Sequence, residues 1–237
     1  MKRLFLLLLL AISILGMAFT VPKELGPLQK SSYQVIVYHG PRFFIQYFQF
    51  TLSNKTVQKN LNDAILKIVN AQLKGLPEAM LETIKDFPPD FSKFVSYKFN
   101  SQITFFGERY ISILFKDDVF LCGAHPSGSI YTLNFDMKTG KVLKLSDLFS
   151  KGTDYISQLS EMVKKDALSS VGQNFWNFKH INLNQDFVFL SNDTLLLLFQ
   201  ECEYTACAVG IPKFYVEINS LKGFKLKLNG LVTNIDY

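Results

Sequence analysis

The stretch CGAHPSGSIYTLNFDMKTGKVLKLSDLF, residues 122–149, decides how this chain is read. It opens on a turn cluster, Gly123-Ala124-His125-Pro126-Ser127-Gly128. Between Ser129 and Asp136, Ile130, Thr132 and Asn134 oppose Tyr131, Leu133 and Phe135. That alternation predicts a strand with one apolar face. Lys138-Thr139-Gly140 signals a tight turn, with glycine supplying a positive φ at little cost. The chain returns through Val142, so the unit is a β-hairpin. Ser146-Asp147 then caps a helix or turn. A hairpin feeding a helical turn is a statement about fold, and nothing in it names a reaction.

Working outward, residues 32–38 and 42–52 read as strands around His39-Gly40-Pro41. Ser53 or Asn54 caps a helix whose apolar residues Val57, Leu61, Ala64, Ile65, Ile68 and Ala71 recur at helical spacing, and Gly75 stops it. Its other face, including Asn62, is polar. Pro77 opens a second short helix carrying Leu81 and Ile84, which Pro88-Pro89 ends. Residues 94–100, 101–106 and 109–116 predict a meander with turns near Asn100-Ser101 and Gly107-Glu108. Asp117-Asp118 reads as a strand-end turn before residues 119–121, with no third carboxylate at a calcium-loop spacing.

After the hairpin, residues 153–170 form an amphipathic helix ended by Gly172, with a stripe of Tyr155, Ile156, Leu159, Met162, Val163 and Ala167 or Leu168. Residues 187–190 and 194–199 make a hairpin, 211–218 a further strand, and 224–228 a last one. The order β-β-α-β-β-β-β-β-α-β-β-β predicts an α+β fold, with two main amphipathic helices packed on largely antiparallel sheets.

The 237 residues, 48% of them hydrophobic, are enough for a sizeable core. Lys2-Arg3, an apolar run over residues 4–15 and small residues before a cut after Ala18 predict a signal peptide over residues 1–18, with a linker over 19–31. The run is short for a membrane span, so contact with a membrane is expected only through an uncleaved signal segment. Extracytoplasmic localisation, periplasmic or secreted, follows. Removing Lys2 and Arg3 takes the formal charge from +5 to about +3, spread without a basic stripe, which argues against nucleic acid as partner.

An exported chain can oxidise cysteines. Cys202 and Cys207 can bridge a short loop, or Cys122 can pair with one of them. His39, His125 and His180 are scattered, and C-x4-C lacks a second ligand pair, so neither a metal nor another cofactor is expected. No G-x-S-x-G, H-E-x-x-H, P-loop or dinucleotide fingerprint is present. Cys122 and His125 lie three residues apart, but the histidine reads better as a hydrogen-bonding anchor of its turn. The single tryptophan, Trp176, lies between Phe175 and Phe178, either in the core or as an exposed aromatic platform.

The G-A-H-P turn, the N-F-D-x-K-T-G-K strand and turn, and the L-x-D-L-F ending resemble the ectodomain shared by RsiV-type anti-sigma factors and the non-catalytic region of PdaC-type peptidoglycan deacetylases. V-Q-K-N-L-N-D-A-I at residues 57–65, F-V-F-L-S-N-D-T-L-L-L-L-F at 187–199 and A-V-G-I-P-K-F-Y-V-E-I-N-S-L at 208–221 extend the likeness over most of the chain. It implies a PdaC-like module over residues 32–135 and an RsiV-like module over 136–237, packed as one body. It implies an exported, non-enzymatic binding module of the bacterial envelope that recognises wall glycan or a secreted protein such as a lysozyme-type hydrolase. The candidate binding residues are His125, Trp176 and Tyr204. The alternative is a carbohydrate-active hydrolase or deacetylase-associated protein with carboxylates that no motif marks. The chain departs from the family at Cys122, where glycine is usual, and at Cys202 and Ala206-Cys207, in the loop that serves lysozyme recognition in the sensing relatives.

Overall fold

In a computed structural model of the chain, the described residues are 23–24, 32–40, 42–74, 94–123, 125–170, 172 and 175–232. The signal peptide, most of the linker, the short helix at Pro77 and the stop at Gly75 lie outside them. The strands are β1 (Lys23–Glu24), β2 (Ser32–Gly40), β3 (Phe43–Thr51), β4 (Ser96–Gly107), β5 (Tyr110–Phe120), β6 (Ser127–Asp136), β7 (Lys141–Val142), β8 (Asp186–Phe189), β9 (Thr194–Leu198), β10 (Lys213–Glu217) and β11 (Gly230–Val232). The helices are α1 (Lys55–Leu73) and α2 (Tyr155–Ser170). One sheet runs β1-β2-β3-β4-β5-β6-β7 with β11 on β4, and a second runs β10-β9-β8. The fold is α+β. All registered pairs are antiparallel except β3 with β4, which run parallel over Phe43–Ile45 and Tyr97–Phe99.

The chain forms two compact units, one within residues 1–101 and 116–128, the other within 102–115 and 129–237. In the first unit, β2 and β3 pair over their whole length, from Ser32↔Thr51 to Gly40↔Phe43. Asn54 caps α1, its side chain accepting from the Thr56 and Val57 N–H groups at 3.1 Å each. The buried stripe is Val57, Leu61, Ile65 and Val69, a strict four-residue repeat. Val69 thus takes the place expected for Ala71, which is exposed. Asn62, on the polar face, is not left to solvent. Its side-chain amide donates to the Phe50 carbonyl (2.9 Å) and accepts from the Phe50 N–H (2.8 Å), tying α1 to β3.

Two expected turns are absent. β4 runs without interruption through Asn100-Ser101, and β5 through Asp117-Asp118. Ser101 is held extended from afar: its N–H donates to Gln46 Oε1 (3.0 Å) and its hydroxyl accepts from Gln46 Nε2 (3.3 Å). Asp118 pairs with Lys116 at 2.9 Å across one strand face, while Asp117 is buried. Gly128 passes so close to β5 that a β-carbon there would stand 2.6 Å from the Asp117 carbonyl oxygen.

In the second unit, one face of the β10-β9-β8 sheet meets α2. Leu159, Val163 and Ala167 share a core with Phe187, Phe189, Leu195, Leu197, Phe214 and Val216. Leu168 is 79% exposed, so Ala167 completes the stripe. The opposite face, Val188, Leu190, Leu196 and Leu198, clusters with Leu114 and Ile130. The last strand lies later than residues 224–228: Phe224 makes a single bridge to Phe149, and β11 begins at Gly230.

The quoted hairpin pairs Phe135 with Val142 and Asp136 with Lys141. Asp136 organises the turn by accepting from the Lys138 N–H at 2.9 Å and the Thr139 N–H at 3.3 Å. Gly140 donates to the Asp136 carbonyl and has φ +70. A β-carbon in that left-handed region costs about 1–2 kcal/mol. Gly140→Ala is therefore expected to lower stability by about that amount in chemical denaturation. An unchanged midpoint would show that the turn relaxes to another geometry.

Candidate functional site

The loop over residues 200–210 joins β9 to β10, and its root is fixed by one amide. Gln200 accepts from the Ile130 N–H and donates to the Ile130 carbonyl, both at 3.0 Å, as a neighbouring strand would. The same amide nitrogen lies 3.3 Å from Asp186 Oδ2, and the Thr132 hydroxyl donates to Asp186 Oδ1 at 2.7 Å. Burial pushes the Asp186 carboxyl above its usual value and the charge of Glu203 adds to this; the bonds from Thr132 and Gln200 oppose it. Glu203 in turn accepts from the Gln200 N–H at 2.9 Å.

Cys202 and Cys207 are joined by a disulfide, with their Cα atoms 4.4 Å apart. Cys122 stays outside the bridge. Cys122 has φ +60, a conformation that favours glycine, the residue usual at this place in the family the sequence resembles.

The bridged loop carries Tyr204, and Tyr204 meets Trp176. The Trp176 N–H donates to the Tyr204 carbonyl at 2.8 Å. Around this bond Phe175, Phe178, Phe199 and Tyr204 interlock, with ring centroids 5.1–6.2 Å apart and mostly edge-to-face. That arrangement suits aromatic quadrupoles. Phe175 and Phe178 face inward, whereas the Trp176 indole is 47% exposed. Burial, then the Glu203 charge and hydrogen bond, push the Tyr204 phenol above its ordinary value.

His125 belongs to the first unit, on an exposed turn, with Nδ1 2.8 Å from the Pro126 carbonyl. A carbonyl only accepts, so Nδ1 carries the proton in this contact. Among the described residues, no three His, Cys, Asp or Glu side chains are grouped to hold a metal ion. Asp186, Gln200 and Thr132 carried no signal in the sequence. They lie 14 to 68 residues apart and meet only through the fold.

With this geometry in view, the relatives are informative. Residues 146–219 match the model of a family described as "Protein of unknown function (DUF3298)". The DUF3298 span contains α2, the β10-β9-β8 sheet, Trp176 and the bridged loop. No curated protein matches the chain. Among solved structures, a member of the DUF3298 family from Bacteroides fragilis NCTC 9343 is similar with a TM-score of 0.65 at 12% identity, over 85% of this chain and 96% of that one. A DUF3298 family protein from Pseudomonas aeruginosa PAO1 gives 0.58 at 13%, over 84% and 94%. At such identities the likeness is one of fold, and it extends well beyond the DUF3298 span.

Proposed function

We propose that the protein is an exported, non-enzymatic binding module of the bacterial cell envelope, of the RsiV-like and PdaC-like kind, and that Trp176 and Tyr204 form its contact face. The observation that carries this reading is the half-exposed indole of Trp176, tied by its own backbone to the bridged loop. An aromatic ring held rigidly at the surface loses little entropy when it docks on a partner. The signal-like run over residues 1–18 and the resemblance of residues 122–149 to envelope proteins support the envelope setting. The partner class is wall glycan or a secreted protein such as a lysozyme-type hydrolase.

Trp176 is the only tryptophan in the chain, so its fluorescence reports on this face alone. Titration with solubilised peptidoglycan fragments, and separately with lysozyme, is expected to shift that emission for one of them. Trp176→Ala is expected to weaken the binding, measured by calorimetry, by about 10-fold or more, as for an aromatic anchor worth at least 1.4 kcal/mol. Absence of binding to both would sink the proposal. One observation favours a second reading: Asp186 is a half-buried carboxyl held above its usual value beside Glu203. If peptidoglycan were cleaved, and cleavage were lost in Asp186→Asn, a hydrolase would replace the binding module.

A further inference from the structure

The loop over residues 200–210 carries two features that disfavour its closed form. Cys202 has φ +65, in the left-handed region that residues with a side chain rarely adopt. Such a conformation persists where the surroundings impose it. Thr205 is 3% exposed, and its hydroxyl has no hydrogen-bond partner among the described residues. A hydroxyl buried in this way gives up its water and gains no bond in exchange. Three backbone bonds inside the loop are local: Glu203 N–H to the Gln200 carbonyl (3.2 Å), Val209 N–H to the Ala206 carbonyl (2.9 Å) and Gly210 N–H to the Cys207 carbonyl (3.0 Å). The covalent tie is the Cys202–Cys207 bridge, and it encloses both Tyr204 and Thr205. Cys202 is exposed, so a thiol can reach its sulfur. Exposed bridges are the labile, regulatory kind, in contrast to buried structural ones.

We propose that this bridge is a redox-sensitive strap on the aromatic face, closed when oxidised and released by a dithiol reductant. Its role as a regulator rests on the reading of Trp176 and Tyr204 as the contact face. In the oxidised chain the strap holds the Tyr204 carbonyl on the Trp176 N–H and the Tyr204 ring against Phe175, Phe178 and Phe199. Reduction begins when one thiolate of the dithiol attacks Cys202 Sγ. The bond between the cysteines breaks, and Cys207 leaves as a thiolate that takes up a proton. The second thiolate of the reductant then attacks the mixed disulfide, frees Cys202 and closes a disulfide in the reductant. The bridge gains two electrons and two protons, and the dithiol loses the same. Once freed, Cys202 leaves the left-handed region and the Thr205 hydroxyl reaches water. The Tyr204 carbonyl comes off the Trp176 N–H, and the indole loses its rigid seat. Gln200, bonded to Ile130 through its side chain, stays in place as the hinge.

The chain has three cysteines, so Cys122→Ser leaves only the bridged pair and prevents links between copies through Cys122. Amide hydrogen exchange of this full-length variant, read by mass spectrometry with and without excess dithiothreitol, tests the strap. Reduction is expected to speed exchange in the peptide carrying Trp176 at least about tenfold, while peptides of α2 keep their protection. Cys202→Ser/Cys207→Ser in the same background is expected to exchange at the reduced rate whether or not the dithiol is present. Thr205→Val removes the unpartnered hydroxyl and is expected to cut the effect of reduction to less than about threefold. Thermal melts confirm that each variant folds. Equal exchange at Trp176 in the oxidised and reduced chains overturns the proposal. So does a bridge that the dithiol reduces only once the chain has unfolded, or a Thr205→Val chain that opens on reduction as freely as its parent. The readout needs no ligand, so its failure is distinct from a failure to bind peptidoglycan or lysozyme.

Discussion

Asn134→Ala is expected to lower the unfolding free energy by about 3–5 kcal/mol, the largest single effect anticipated outside the apolar core. Asn134 is 2% exposed, and its two ends do different jobs. The amide nitrogen donates to the Phe187 carbonyl, and the oxygen accepts from the Ser112 hydroxyl, whose own oxygen receives the Phe189 N–H. Alanine leaves the buried Phe187 carbonyl without its donor and the Ser112 hydroxyl without its acceptor, and opens a small cavity. Each orphaned buried group costs about 1–3 kcal/mol. Urea denaturation measures the sum. A loss below about 1 kcal/mol would mean that water reaches the site and replaces the amide.

Asp136→Asn is expected to cost about 2–3 kcal/mol at neutral pH and to flatten the acid limb of the stability curve. Arg109 grips this carboxylate from two nitrogens, Nη2 at 2.8 Å and Nε at 3.1 and 3.2 Å to its two oxygens. The carboxylate side chain is only 5% exposed, while that of Arg109 is 45% exposed and can rehydrate, which keeps the cost moderate. Burial alone would push the carboxyl up. The Arg109 bond, the Lys138 and Thr139 N–H groups and the Arg109 charge outweigh it, and the group sits below its ordinary 3.8. Its contribution to stability is thus complete above 3.8 and lost as pH falls through the folded value. Asp186 runs the other way. Its carboxyl is raised, so what it contributes is complete below 3.8 and lost as pH rises through its folded value. Thermal melts between about pH 2 and 7 on wild type, Asp136→Asn and Asp186→Asn separate the two signs. If Asp136→Asn kept the wild-type acid slope, the ion pair would not be the source of it.

The hairpin over residues 127–142 was legible in the sequence because everything that makes it is local. Alternation sets the strand, Asp136 bonds residues two and three ahead, and Gly140 supplies the positive φ. Both helices were legible for the same reason, as periodic apolar patterns, the first with its start marked by Ser53 or Asn54. Polar pairs inside long strands were not. Asn100-Ser101 and Asp117-Asp118 carry turn chemistry, and only a partner 55 residues away, Gln46, explains why Ser101 stays extended. The candidate site divides likewise. Trp176 and Tyr204 stood out by residue type, and the fold brings their backbones together. His125 stood out too, yet it belongs to the other unit. Asp186, Thr132 and Gln200 are ordinary residues in the sequence, and they matter only through contacts made across the second unit.

Among the described residues, three side-chain amides each hold both backbone groups of one distant residue: Asn62 with Phe50, Gln200 with Ile130, and Gln158 with Lys222. Such a position admits no conservative replacement by the matching acid. Changing one nitrogen to oxygen, as deamidation does, keeps shape and volume but deletes the donor. It then sets a negative oxygen against a carbonyl oxygen. What was a two-point clasp becomes one bond and one repulsion. Deamidation at any of these three positions would therefore unfasten a tie between distant segments without touching the apolar core.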